Sequence, residues 1–493
     1  MAGSGSLRIV ACVFVLVFFA RMGALVLHDP LIGLANNYDM IRVQGCIGAY
    51  PVRDAQIPPE AASWQAPIPR YAFRTDLAPG CFVSSEAVLA LAMLPALRFA
   101  DAVSGERGFP LRLVGIVKWL LLSVVCLVPA LLLFRQRDGA AAGAMSAFLA
   151  ALVAADPAVT IYLNAFYAEY AALLFAWLAV GLLFVDLRAG RSHWLRDTLL
   201  SVAIVGACTA KLQHLAFGLW LLLPLLALRL GRRGAIRNRT LALVATAAMA
   251  GLAIQAWNLE RDFTASISRA NKTNTYLGAL LGTSQNPAAT AAALGLPASC
   301  AEHAGKDWFS PGVEQSHPCP QVFDVSRLAL ARVLVREPET IGAMLVRGID
   351  ETRPWVTPIL GKVEGEVQGE VPAYFPSLSG LVSAIPLPLW LAAFLLPLAF
   401  VPVLALAPGG RCVAVRWLLM FLGGFPAATV ATVVFGDGFA DVAKQFHLGM
   451  AALLAFWLVA GACLAQAVSR RARPASESPE VIPAAASAAS ASR

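Results

Sequence analysis

Apolar runs near the ~20 residues that a bilayer crossing takes recur along almost the whole chain, and no soluble fold could cover that much apolar surface. They lie at Leu7 to Leu27, Leu111 to Phe134, Ala140 to Ala155, Ile161 to Val185, Thr198 to Leu230, Leu241 to Trp257, Ile385 to Ala407, Val415 to Phe435 and Phe446 to Ala467. With 58% hydrophobic and 14% charged residues among 493, the expected class is an all-α polytopic membrane protein.

Basic residues orient the runs. The net charge of +8 is not gathered on one polar face, as nucleic-acid binding would require. It falls in short clusters at Arg135/Arg137, Arg188/Arg191/Arg196, Arg229 to Arg239, Arg411/Arg416 and Arg470 to Arg473, which are expected on the cytoplasmic side. Thr198 to Leu230 would make a single helix of ~46 Å against ~30 Å of hydrocarbon. Broken at Lys211, it becomes a hairpin that returns to the cytoplasm. Ala87 to Ala100 is too short to span and reads as a helix on the outer surface, since a crossing there would turn Arg135 and Arg137 outward.

The scheme has about ten transmembrane helices, both termini inside, and two large external loops. The multi-pass region is residues 1–467, with the loops at 28–110 and 258–384; residues 468–493, rich in Ala, Ser and Glu, are expected to form a disordered cytoplasmic tail. Leu7 to Leu27 reads as an anchor rather than a signal peptide, because Arg21 interrupts it and no small-x-small pattern follows. Arginine outnumbers lysine and alanine is abundant, a composition associated with GC-rich bacteria, so a bacterial inner membrane is expected.

Of nine cysteines, Cys46, Cys81, Cys300 and Cys319 fall in the external loops. In an oxidising compartment they permit Cys46–Cys81 and Cys300–Cys319 disulfides, with free thiols as the alternative. The sequence has no CxxC pair, no spaced Cys/His set and no Gly-rich phosphate loop before a helix. No cofactor is expected, and the one place for a divalent cation is a carboxylate pair from Asp39 and Asp156.

The chemistry-bearing candidates lie at the outer ends of the runs. Asp39, in Asn36-Asn37-Tyr38-Asp39-Met40-Ile41-Arg42, follows the first run closely, with Arg42 three residues on. It is the expected catalytic base; a solvated loop carboxylate is the bland alternative. Lys211 costs ~2.5–3.5 kcal/mol at a bilayer centre, so it must pair or sit near an interface. At the hairpin turn it could hold a phosphate, helped by His214, or simply cap helix carbonyls. Glu169, about two turns into Ile161 to Val185, is its natural partner, with Asp156 between Glu169 and the surface. Asp437, Asp441, Lys444 and His447 follow helical spacing and read as one polar stripe, functional or merely solvated. Arg261, Arg269 and Lys272 stand within a few residues of the membrane, where cations suit a phosphate headgroup.

These features resemble the C-type (GT-C) glycosyltransferase fold: a first crossing, a long external loop with an early Asp, further crossings, then a second large loop. Thr209-Ala210-Lys211-Leu212-Gln213 with Pro224 resembles the family's "TK" stretch, and Asp156-Pro157 with Asn164-x-x-Tyr167-x-Glu169 stands where the family often places an acid. Gly278 to Pro297, with Leu294-Gly295-Leu296, and Gly436-Asp437-Gly438 are similar to a bacterial branch of hexose transferases of glycan biosynthesis. No second acid adjoins Asp39, where several members carry a pair.

The resemblance implies transfer of a sugar, a hexose on the branch reading, from a polyprenyl-phosphate carrier to a glycan, lipid or protein acceptor on the outer face. Asp39 would be the base, Lys211, Arg42, His214, Arg261, Arg269, Lys272 and Lys444 would bind the carrier phosphate, and Glu169, Asp156, Asp437 or Asp441 would be a substrate ligand or second acid. Competing classes are a flippase of lipid-linked sugars, with Lys211 and Glu169 lining its path, and a lipid-linked glycan polymerase or ligase.

Overall fold

The computed structural model describes residues 2–75, 81–190, 193–231, 236–259, 263–406 and 413–471. Its architecture is helical, because a helix satisfies its own backbone hydrogen bonds where a hydrocarbon layer offers none. In chain order the helices of the first half are α1 (Ala2–Val26), α2 (Tyr38–Gln44), α3 (Ser85–Ser104), α4 (Leu111–Phe134), α5 (Ala140–Leu149, extended by a wider turn over Ala150–Ala154), α6 (Pro157–Thr160), α7 (Ala168–Ala189), α8 (Trp194–Ala210), α9 (Phe217–Gly231) and α10 (Asn238–Leu259). The second half holds α11 (Phe263–Thr273), α12 (Pro287–Ala293), α13 (Val313–Ser316), α14 (Arg327–Arg336), α15 (Pro338–Asp350), α16 (Leu387–Leu406), α17 (Val413–Asp437), α18 (Val442–Gln445) and α19 (His447–Arg471). Short strands β1 (Ala49–Pro51), β2 (Arg70–Phe73) and β3 (Phe109–Pro110) form a small antiparallel sheet in the order β1-β2-β3.

Among the described residues nine helices are long and apolar enough to cross a membrane, so the protein is a multi-pass membrane protein. Side-chain links fix the two ends of the bundle. At one end Arg188 donates to the Asp138 carbonyl, Arg196 pairs with Asp186, Arg239 with Asp197, and Arg416 donates to the Leu404 carbonyl. At the other, Gln255 donates to the Cys208 carbonyl and Asn258 to the Val83 carbonyl, joining the finishing ends of α8 and α10 to the start of α3. The described members of the arginine clusters thus stand opposite the Asp39 end.

Three expectations need correction. The Ala87 to Ala100 segment is not a short helix: α3 has 20 residues, capped by Ser84, and qualifies as a span by length and composition. Its two ends nevertheless stay at the Asp39 end. Glu86 pairs with Lys118, two turns into α4, Arg98 lies over the Phe73 ring of β2, and α3 leads at once into β3 and the first residue of α4. A crossing helix would carry Arg98 towards the far end, so α3 lies across the bundle.

The second correction is at Ile161 to Val185, where the helix starts only at Ala168. Asn164 and Tyr167 precede the helix and bind elsewhere. The Asn164 amide donates to the Val26 and Ile32 carbonyls, and the Tyr167 hydroxyl to the Ala35 carbonyl at 2.6 Å. Gly115 makes room for this, since a Cβ there would lie 1.8 Å from Asn164 Oδ1. Glu169 therefore sits in the first turn of α7, not two turns in. Third, the run from Asp437 to His447 is no continuous helical stripe. Positive φ angles at Gly438 and Asp441 (64° and 52°) turn the chain between α17 and α19. A Cβ at Gly438 would also meet the Asn274 carbonyl at 2.2 Å.

The long apolar run at 198–230 divides at Lys211, whose extended backbone (φ −151°, ψ 152°) ends α8 before a tight turn over Leu212–His214 and the start of α9. The last helix reaches Arg471, beyond the Ala467 boundary expected for the membrane region; the rest of the 468–493 tail lies outside the described residues.

Candidate active site

Lys211 stands at the α8–α9 turn, where no helical carbonyl among the described residues accepts from its side chain. Its ammonium reaches Asp39 Oδ2 at 3.0 Å and Glu169 Oε1 at 2.8 Å. Asp39 is presented by the first turn of α2, where the Asn37 side chain accepts from the Asp39 amide at 3.0 Å. Lys444, on α18, reaches the same Asp39 Oδ2 at 2.9 Å and Asp441 Oδ2 at 2.6 Å. Arg42 closes on Asp39 Oδ1 at 3.0 Å. Three carboxylates, Asp39, Glu169 and Asp441, thus meet three cations, Arg42, Lys211 and Lys444, drawn from four separate parts of the chain.

Exposure differs within the cluster. Asp39 and Lys211 remain 21% and 20% exposed, whereas Lys444 is 3% and Glu169 0% exposed. The buried members form a fixed rim and the open ones face a mouth. Burial alone would push the Asp39 carboxyl up, but Lys211, Lys444 and Arg42 together hold it well below the usual carboxylate range. Burial likewise works against the Lys444 ammonium, and Asp39, Asp441 and Glu169 hold its pKa well above the ordinary lysine value. Both groups are charged at neutral pH. Glu169 keeps one free acceptor, since its Oε2 has no hydrogen-bond partner among the described residues.

Neighbouring residues brace this centre. His447 places its Nε2 3.0 Å from the Glu169 carbonyl and its Nδ1 3.1 Å from the Lys444 carbonyl, tying α19 to α7. His214 packs edge-on to His447, 5.6 Å between ring centroids. It is buried beside the cluster with its Nε2 3.5 Å from the Gln213 amide nitrogen, so it lines the site rather than joining the ion network. Asp441 also accepts from Thr357 at 2.9 Å, and Asp437 accepts from Asn274 at 2.8 Å and from Gln445 at 2.7 Å.

Several candidates lie elsewhere. Asp156 caps α6 and takes hydrogen bonds from Ser377, Ser379 and the Leu378 amide, so its oxygens clasp the 377–379 segment and are not shared with Asp39. Lys272 donates to the Phe323 carbonyl and Arg269 lies over the Phe323 ring, so both serve the 258–384 region. Arg261 lies outside the described residues. Disulfides join Cys46 to Cys81 and Cys300 to Cys319. No cluster of three or more His, Cys, Asp or Glu suited to a metal occurs among the described residues.

Two hollows approach the ion cluster, and of its six members Asp441 alone is among their described lining residues. Beneath the cluster a largely apolar chamber of about 650 Å³ runs through the bundle to Asp138 and Arg188 at the arginine-rich end, lined by Leu133, Met145, Trp177, Phe217, Phe425 and Leu448. Phe217 and Leu448 bring it against the Lys211 turn and His447. Above the cluster a cleft of about 570 Å³ is walled by Tyr38, Trp64, Trp308, Phe309 and Phe439, with Asp441 at its edge. Its walls come from residues far apart in sequence, which no local motif announces. The buried Lys118–Glu86 pair was also missed, although Lys118 is the only charged residue between Arg112 and Phe134.

No curated protein matches the chain. One solved structure with a likeness to it is the archaeal oligosaccharyltransferase AglB from Archaeoglobus fulgidus in complex with an inhibitory peptide and a dolichol-phosphate, at 13% identity and a TM-score of 0.42. The alignment covers 94% of this chain and 51% of that one, so the chain spans about half the length of that protein. A family model described as the YfdI N-terminal transmembrane domain matches residues 4–479, nearly the whole sequence. The chain therefore belongs to the family of the YfdI N-terminal transmembrane domain.

Proposed function

We propose that the protein is a glycosyltransferase that moves a sugar, a hexose, from a polyprenyl-phosphate carrier to the hydroxyl of a glycan acceptor. One observation carries this reading: an open Lys–carboxylate cluster stands between an apolar chamber and an aromatic cleft. The chamber suits a polyprenyl tail, the lysines a phosphate, and the cleft a sugar acceptor. The likeness of the Asp39, Lys211 and Glu169 stretches to C-type glycosyltransferases supports the same assignment. The arginine-rich turns at the opposite end support a bacterial inner-membrane orientation with both termini cytoplasmic and the site outside.

In this mechanism the carrier phosphate enters between Lys211 and Lys444 and competes with Asp39 for both. Asp39, released from part of its ion pairing, accepts the proton of the acceptor hydroxyl as that oxygen attacks the anomeric carbon. The bond from that carbon to the phosphate oxygen breaks, and polyprenyl phosphate leaves with the electron pair, its charge balanced by the two ammonium groups. Single displacement inverts the anomeric centre. Glu169 holds Lys211 in place throughout. A flippase would need a polar path for a hydrated sugar, and the chamber lining is apolar over most of its length.

Purified protein given radiolabelled polyprenyl-phosphate hexoses and a glycan acceptor should release polyprenyl phosphate, and Asp39→Asn should slow release by about 100- to 10,000-fold. Release that Asp39→Asn leaves intact would move the base to Glu169 or Asp441. Donor binding with no release from any donor would end the transferase reading.

A further inference from the structure

We propose that the cleft above the ion cluster sorts acceptors by charge, taking uncharged or amine-bearing sugar rings and turning away anionic ones. This rests on the transferase reading and gives the acceptor side of the site its chemistry.

The aromatic wall is continuous although its parts are distant in sequence. Tyr38 meets Trp64 edge-on at 6.3 Å, and Trp64 meets Phe309 edge-on at 6.3 Å. Ring faces of this kind carry negative π density and attract the C–H edges of a sugar ring. The hydroxyls of such a ring are donors, and the cleft offers acceptors to match: the carboxylates of Asp307, Glu314, Glu351 and Asp441 all line it. No Lys, Arg or His is among its described lining residues. Two of these acids have a cation close by: Glu351 has Arg347 at 3.6 Å, which also lies over the Phe439 ring, and Asp441 has Lys444 at 2.6 Å.

The division of charge falls at Asp441. One of its oxygens takes the Thr357 hydroxyl from the cleft wall, and the other takes Lys444, which belongs to the ion cluster. Lys444 therefore stands on the donor side of this carboxylate, and on the acceptor side Asp307, Glu314 and Glu351 outnumber Arg347. An anionic acceptor would face like charge in the cleft, a repulsion that opposes entry. Were it admitted, its carboxylate would compete with the carrier phosphate for Lys444. The acidic wall prevents that competition.

The wall is also held rigidly. Asp307 to Gln315 lies inside the loop closed by Cys300–Cys319. The Trp308 amide donates to Asn274 Oδ1 at 2.7 Å, and the Asn274 amide nitrogen donates to Asp437 at 2.8 Å, which links the aromatic wall to the end of α17.

Calorimetric titration of full-length protein in nanodiscs, without donor, tests this with maltotetraose, a chitosan tetramer and tetragalacturonate as probes. The first two should bind about tenfold or more tighter than the third at low salt. Glu314→Gln/Glu351→Gln should narrow the gap to about threefold or less, and Trp308→Ala should weaken all binding. Equal affinity for tetragalacturonate, or a gap that the double variant leaves unchanged, overturns charge sorting. Absence of binding by all three probes overturns the cleft as a glycan site. Because no donor is present, sorted binding in a protein that never releases polyprenyl phosphate would sink the transferase reading alone.

Discussion

Two lysines lie in apolar stretches of this protein, and their surroundings differ in kind. Lys118 and its partner Glu86 are both 0% exposed; the ammonium also donates to the Ala165 carbonyl at 2.5 Å and lies over the Tyr170 ring. Lys211 is 20% exposed, shares two carboxylates, and has a second lysine competing for one of them. The first arrangement is closed: each charge has one opposite charge, and no route in. The second is open and has interchangeable partners, so an incoming anion can take a place in it without stranding a charge. Burial of a lysine therefore does not mark a functional site. An accessible, shared set of partners is what the proposed site has and the Lys118 pair lacks.

The largest test of this contrast is Asp39→Asn, expected to cost transfer about 100- to 10,000-fold while lowering thermal stability only modestly, because Lys211 keeps Glu169 and Lys444 keeps Asp441. The sealed pair should respond in the opposite way. Lys118→Met alone should destabilise by about 3–5 kcal/mol, since Glu86 is left as a lone buried charge. Adding Glu86→Leu should recover most of that loss in thermal unfolding. A double variant as unstable as the single one would show that the pair does more than neutralise itself.

Next in size, Lys211→Met or Lys444→Met should raise the donor KM by roughly ten- to a hundredfold, the scale of a lost charge-assisted hydrogen bond. Unchanged donor KM in both would remove the phosphate from this cluster. The smallest effect concerns pH. Asp39 is held well below the usual carboxylate range in the free protein, so its stabilising share is complete above the ordinary carboxylate pKa. It is lost only as pH falls through the depressed value. A phosphate that draws the lysines away lifts that carboxyl back towards its ordinary value. The acid limb of kcat should then lie at higher pH than that of kcat/KM for the donor. Coincident limbs would mean that Asp39 keeps its lysines throughout.

Much of this contrast was readable in the sequence at single positions. Lys211 is legible because a run too long for one crossing must break, and a lysine in its middle marks where. Asp39 is legible from its closeness to the first apolar run. The helix expected from Ile161 starts later for a physical reason: Asn164 and Tyr167 stand in an apolar run, yet their hydrogen bonds go to the chain leaving α1, a partner more than a hundred residues away. Lys444 joins Asp39 from across 405 residues, by way of a positive-φ turn that helical spacing disguises. The cleft is the least legible part. Tyr38, Trp64, Trp308 and Phe439 are unremarkable aromatics until tertiary structure brings them into one wall.

The order of these residues along the chain bears on how the protein is made. Asp39, Arg42, Glu169 and Lys211 belong to the half synthesised first, where two acids and two bases already balance. Asp441 and Lys444 arrive later as a neutral couple three residues apart. Neither half carries an uncompensated charge while it waits for the other, and only their meeting lets Lys444 reach Asp39. Biosynthesis thus passes through two separately neutral half-sites.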